Sequence, residues 1–160
     1  MAYTTIDDPT DYFNSVLWTG NGSNRDITGV GFQPDFTWIK QRNGTFSHVL
    51  GNSLSGDNKF LVSSAEQAES TDTDKFRTFV SDGFQVGTHN GVNGSSNTYV
   101  GWNWKETATA GFDIVSYTGN GSARTISHSL SAVPKMFMTK RTDSSESWGV
   151  YHHTQGAGKF

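Results

Sequence analysis

The chain has 160 residues, of which 18 are Gly and 21 are aromatic (11 Phe, 5 Tyr, 5 Trp); it has no Cys and a formal net charge of -3. That length suits one domain, or one and a half small ones, with a core able to stand without staples. A disulfide framework and Cys-based metal sites are excluded, the 12 Lys and Arg are scattered too singly to form a nucleic-acid stripe, and no apolar run is long enough to span a membrane.

So much Gly disfavours helices, where each interior Gly costs about 1 kcal/mol relative to Ala. Short aromatic and β-branched runs between Gly, Asn, Ser and Thr clusters describe strands joined by tight turns. The opening segment lacks a basic region and an apolar region, so it is no secretory signal. Residues 1–12 read as a polar arm without periodicity, one that orders only on binding. Residues 16–19 read as a strand, and Gly20-Asn21-Gly22-Ser23 as a hairpin turn, because Asn-Gly tolerates positive φ at both central positions. Residues 25–28 form the return strand. Pro34 precedes a strand at 36–40, at a position where no ladder donor is lost. Strands at 46–50 and 59–62 follow. Residues 63–70 are the one helix candidate, short and polar. A strand at 76–80, a turn at 81–83 and a strand at 84–88 come next. Residues 98–104 alternate most clearly: period 2 puts Val100, Trp102 and Trp104 on one face and Tyr99, Gly101 and Asn103 on the other. Residues 106–111 are small and polar and read as a linker.

The rest of the chain repeats the opening. Phe13 to Ser23 matches Phe112 to Ser122 at an offset of 99 residues, with an identical Thr-Gly-Asn-Gly-Ser. Arg25 and Ile27 meet Arg124 and Ile126. After a one-residue shift, Pro34 and Lys40 meet Pro134 and Lys140, and Gly56, Lys59 and Phe60 meet Gly156, Lys159 and Phe160. Strands are therefore expected at 114–118, 125–127, 135–140 and 148–151. The expected domains are an arm (1–12), a first module (13–105), a linker (106–111) and the first half of a second module (112–160). Residues 61–105 have no counterpart, and half of a β unit leaves backbone groups unpaired. A longer polypeptide with more repeats is the favoured explanation; completion by another subunit and direct packing of the two parts are the alternatives. Eight or nine short strands per module predict an all-β, antiparallel β-sandwich.

The candidate sites each have a plainer explanation. Asn21, Asn43, Asn93 and Asn120 head Asn-Gly-Ser/Thr triplets that fit N-glycosylation, but turn chemistry suffices. His152 and His153 suggest a metal, yet neighbours on a strand point to opposite faces, and His48, His89 and His128 stand alone. The acidic run Glu66, Glu69, Asp72, Asp74 lacks the calcium-loop spacing and reads as a solvated loop. Asp82 and Asp113 are candidates for a carboxylate pair acting on glycans only because they sit at strand edges, and Asp82 precedes Gly83 in an ordinary turn position. No nucleophile elbow, phosphate loop or complete dinucleotide fingerprint occurs, so no cofactor and no enzyme activity is expected. Trp18, Trp38, Trp102, Trp104 and Trp148 could form a sugar-stacking platform. Tyr117 and Met138 replace Trp18 and Trp38 in the second copy, which favours core filling; Trp148 aligns with His48 and is expected to face outward.

Residues 13–23, Pro34 to Lys40, the run Ser81-Asp82-Gly83-Phe84 to Gly87, and Asn97 to Lys105 with its Tyr-Val-Gly-Trp-x-Trp resemble repeat modules in virion proteins of marine tailed phages. The opening residues 1–13 are similar to the start of such proteins. The resemblance implies a tail fibre or tail-attached appendage with concanavalin-like or jelly-roll modules, located on the virion and serving host attachment. Its partners would be other virion proteins of the tail or connector, in a homo-oligomer with a trimer as one option. On this reading residues 1–12, with Tyr3, Ile6 and Tyr12, form the anchor. The alternative is a carbohydrate-binding module for host surface glycans using Trp102 and Trp148; a glycan depolymerase is the weaker alternative.

Overall fold

The computed structural model describes residues 6–156. Residues 8–12 are not a free arm. Pro9–Asp11 form a single 3-10 turn capped by the Asp8 carboxylate, and the Tyr12 carbonyl accepts a hydrogen bond from Lys105 N–H at 2.8 Å. Pro9 suits the first turn because its missing N–H has no helical partner to lose there.

Nine strands build the first module: β1 (Phe13–Thr19), β2 (Arg25–Thr28), β3 (Phe36–Gln41), β4 (Val49–Asn52), β5 (Lys59–Phe60), β6 (Ser70–Thr71), β7 (Phe76–Val80), β8 (Gly83–Val86) and β9 (Thr98–Trp104). One antiparallel sheet has the order β1-β9-β3-β4 and another the order β2-β8-β7. A Leu50–Leu61 bridge extends the first sheet toward β5, which pairs with β6. The two sheets enclose a core that includes Trp18, Ile27, Ile39, Phe60, Phe76, Phe84, Val86 and Tyr99. The fold is an all-β antiparallel sandwich, as the strand count predicted. No helix forms at 63–70, and among the described residues no helix is long and apolar enough to cross a membrane.

The Gly20–Ser23 turn is not a hairpin. β1 pairs with β9 and β2 with β8, so the turn carries the chain from one sheet to the other. Its geometry is held from outside by Asn93, which is fully buried. The Asn93 amide donates to Ser23 O (2.6 Å), Asn21 Oδ1 (3.0 Å) and Gly87 O (3.2 Å), while its backbone carbonyl accepts from Gly22 N–H at 2.8 Å. Gly20 lies against the Asn93–Gly94 backbone, where a Cβ would clash, and Gly22 has φ +70°, which favours Gly. The repeated motif is thus a lock between distant segments.

The alternation along β9 is as read, and the structure makes one of its two faces the inward one. Tyr99, Gly101 and Asn103 are buried, whereas Val100, Trp102 and Trp104 are half-buried on the outer face. Gly101 leaves room for the Phe84 and Trp18 rings. Asn103 accepts from Thr37 Oγ1 at 2.9 Å and donates to Asn14 O and Gly101 O at 3.1 Å, so the buried amide is satisfied. On β3, Thr37, Ile39 and Gln41 point inward while Phe36, Trp38 and Lys40 point outward. Trp18 alone among the five tryptophans joins the core; its N–H donates to Val92 O at 3.0 Å and its ring stacks on Tyr99.

The linker is a closed turn. Thr107 and Phe112 bridge, Gly111 N–H donates to Ala108 O at 3.1 Å, and Gly111 takes φ +71°. The second copy then forms one hairpin, β10 (Met136–Thr139) with β11 (Gly149–His152). Its register copies that of β3 and β4: Phe36 faces Asn52 as Met136 faces His152, and Ile39 faces Val49 as Thr139 faces Gly149. The strands expected at 114–118 and 125–127 are absent. Their counterparts β1 and β2 pair with β9 and β8, and residues 112–156 hold no equivalent of either. A strand without a ladder partner has no reason to hold extended geometry.

Candidate functional site

The register across the first sheet aligns side chains in rows, outward on β1, β9 and β3 and ending at buried Leu50 on β4. Phe13, Trp104 and Phe36 face one another across β1, β9 and β3; Ser15, Trp102, Trp38 and Leu50 form the next row. Trp38, His48, Trp102 and Trp104 line a shallow, open depression of about 360 Å³. Trp104 is the fixed wall. Phe13 lies 4.9 Å from it, Phe36 5.5 Å and Phe112, the first residue of the second copy, 6.1 Å.

The polar groups of the depression are specific. Trp38 N–H donates to His48 Nδ1 at 2.6 Å. An indole nitrogen can only donate, so Nδ1 carries the lone pair and the imidazole proton sits on Nε2. Burial, and then the Lys40 ammonium, hold the His48 pKa below its ordinary 6.5, which keeps the ring neutral at pH 7. Lys40 Nζ is itself committed to Gln41 O (2.8 Å) and Gly44 O (2.9 Å). Among the described residues the Trp102 and Trp104 indole N–H groups have no protein acceptor, and neither nitrogen is a buried unsatisfied atom. Both therefore reach solvent.

Trp148 is not part of this face. It does not point outward; it is half-buried against the first module, and its N–H donates to Val62 O (3.1 Å) and Ala65 O (3.2 Å). Only part of the acidic run is the solvated loop expected: Asp72 and Asp74 sit in a local turn, where Asp74 N–H donates to Asp72 Oδ1 at 2.9 Å, while Glu66 and Glu69 meet the second copy. Glu66 O accepts from Glu146 N–H (2.9 Å), the Glu66 carboxylate from the Ser147 hydroxyl (2.6 Å), and Glu69 N–H donates to Thr142 O (2.9 Å). The Glu69 carboxylate takes the Ser55 hydroxyl and lies 3.5 Å from Lys59 Nζ. Residues 62–69 are a docking strip for residues 142–148.

Asp82 and Asp113 serve loops in different copies. Asp82 accepts from Gly29 N–H (3.0 Å) and Gly31 N–H (2.7 Å). Asp113 accepts from Ser129 N–H, and Asn14, its counterpart, donates to Val30 O at 3.0 Å in the matching loop. The two backbone donors hold the Asp82 pKa below 3.8. A depressed carboxylate pKa contributes stability above the unfolded value and loses it as pH falls through the folded one. Asp82→Ala is therefore expected to lower the urea midpoint at pH 7, with the gap to wild type closing below pH 3.8. An equal gap at pH 7 and pH 3 would contradict that account.

The remaining candidates are turn and loop groups. Asn21 and Asn120 each accept from the N–H two residues on, Ser23 at 2.9 Å and Ser122 at 3.0 Å. Asn43 accepts from Thr98 N–H at 3.1 Å, and buried Asn93 offers no access to a glycan-transferring enzyme. The rings of His152 and His153 lie 4.9 Å apart, closer than strand alternation implies, because β11 ends at His152. Among the described residues no group of three or more His, Cys, Asp or Glu could hold a metal. Ile6 and Tyr12 are half-buried, and Tyr3 lies outside the described residues. Sequence reasoning missed Trp38 and His48 as surface groups. For Trp38 the signal lies in its register with Trp102, but only once the pairing of β3 with β9 is known; His48 precedes β4 and is placed by its bond to the Trp38 ring.

A family model described as "Domain of unknown function (DUF7483)" matches residues 8–159. Comparison with curated proteins and with solved structures finds no match.

Proposed function

We propose that this chain, which belongs to the DUF7483 family of domains of unknown function, is a structural protein of a phage virion: a tail fibre or tail-attached appendage serving host attachment. The observation that carries the reading is the join between the two copies. The second copy reproduces the β3–β4 register in β10–β11 and clasps the first through Trp148, Ser147 and the 62–69 strip. A closed turn at 107–112 and Phe112 packed on Trp104 leave little slack between them. Tandem β modules coupled this stiffly suit an appendage that must hold its shape while exposed. Resemblance to marine phage virion modules supplies the location. Partners in the tail or connector, and a homo-oligomer with a trimer among the options, belong to the same reading.

Mass spectrometry and antibody-labelled electron microscopy of purified particles test it. The chain is expected on virions at the tail; its confinement to infected-cell lysate would end the proposal. The join itself is tested by Trp148→Ala. Loss of the ring and its two hydrogen bonds is expected to weaken docking by about 1–2 kcal/mol. Amide exchange at Glu69 and Glu146 should then quicken about tenfold or more, while exchange in β8 and β9 stays slow. Unchanged exchange at both amides would mean that Trp148 does not hold the copies together.

A further inference from the structure

We propose that the depression formed by Trp38, His48, Trp102 and Trp104 binds a neutral sugar ring of a polysaccharide or surface glycan. This goes beyond the virion role, which needs no sugar site. A pyranose has an apolar C–H face rimmed by hydroxyls, so it needs aromatic surface with hydrogen-bond donors at the edge. Trp38 and Trp102 face each other across β3 and β9 and offer that surface, while Phe13, Phe36 and Phe112 hold the neighbouring Trp104 ring in place. The solvent-facing N–H groups of Trp102 and Trp104, with Nε2–H of His48, are the donors.

Size and charge select this occupant over the others. A depression of about 360 Å³ lies at the small end of ligand sites, and its lining of Trp38, His48, Trp102 and Trp104 falls far short of the roughly 20–30 residues a side of a protein interface. The lining has no carboxylate and no free cation, since the Lys40 ammonium is tied to two carbonyls. Single-stranded nucleic acid also stacks on aromatic rings, but it needs a cationic track for its phosphates, and the chain carries a net charge of -3. Burial of Trp148 against the first module removes it from the site, so the two copies do not compete for the same surface.

The test is a tryptophan-fluorescence and calorimetric titration of the full chain with dextran, laminarin and agarose oligosaccharides, with alginate as an anionic control. Saturable binding to at least one neutral glycan is expected. Trp102→Ala should weaken it about tenfold or more, the worth of one stacked ring. Trp102→Phe keeps a ring and should lose less; Trp148→Phe should leave affinity unchanged. Far-UV circular dichroism checks that each variant folds, and Trp102→Phe keeps the test decisive if the Ala variant does not. No binding to any neutral probe at millimolar concentration overturns the proposal, as does full affinity in Trp102→Ala. A Trp102→Ala variant that changes only the oligomeric state, read by light scattering, would make the face a self-association surface and overturns it too. Failure here leaves the virion assignment standing, because particle composition is measured separately.

Discussion

Asn93→Ala is expected to cost about 3–4 kcal/mol of folding stability, because each buried partner left unpaired costs about 1–3 kcal/mol. The Asn93 amide ties the remote crossover, at Asn21 and Ser23, to Gly87 after β8. Its Oδ1 also accepts from Asn21 N–H at 3.3 Å. Ala removes both roles and leaves the Ser23 and Gly87 carbonyls without this donor. Asn93→Asp is the sharper control. It keeps the shape but sets a carboxylate oxygen against those carbonyls, so it should be at least as damaging. Urea unfolding followed by the buried Trp18 fluorescence gives the measurement. A loss below about 1 kcal/mol for both variants would mean that solvent or local relaxation satisfies the turn, and that the lock described above is not structural.

Phe84→Ala is the second large effect, about 3–5 kcal/mol for a fully buried aromatic ring. Phe84 has no exposed surface and sits on β8, the central strand of its sheet, with β2 on one side and β7 on the other. Its ring meets Trp18 edge-on at 5.7 Å and reaches across the sandwich toward Gly101. Truncation opens a cavity between the two sheets that rigid strands cannot close. Near-UV circular dichroism should lose the Trp18 signal, and the urea midpoint should fall. Phe84→Leu fills most of the space and should cost well under half as much. Equal losses for Ala and Leu would point to a role for the ring itself beyond volume.

Strand positions were readable where a strand finds a ladder partner among these residues. β7 and β9 fall where the alternation and the turn residues put them. The repeat was readable too, and β10 and β11 fall at its matching positions, with a register that the structure shows to copy that of β3 and β4. Residues 114–118 misled because their pattern is that of β1, and a pattern cannot report whether a partner strand exists. The Gly20–Ser23 turn misled for a related reason. Asn-Gly encodes a reversal of direction, but the sheet each arm joins is decided by Asn93, some seventy residues away.

The aromatic face shows the same division. Period 2 in β9 was enough to separate Trp102 and Trp104 from Tyr99 and Asn103. It could not say which set is inside, because both sets contain large rings and alternation is symmetric between faces. The second sheet resolved that. Phe84 needs the space above Gly101, and Asn103 finds Thr37 and Asn14 as partners, so that face closes and the tryptophans turn outward. Likewise the resemblance of Trp148 to a surface ligand residue ended when its N–H met Val62 and Ala65.

By itself, then, the sequence determined the class of fold, the unit that repeats and most strand positions, because these depend on local periodicity and turn chemistry. Tertiary structure alone decided which face of the sheet is core, which sheet each arm of the turn enters, and that residues 62–69 are a docking strip. Those choices rest on contacts between segments far apart in the chain, and local patterning carries no record of them.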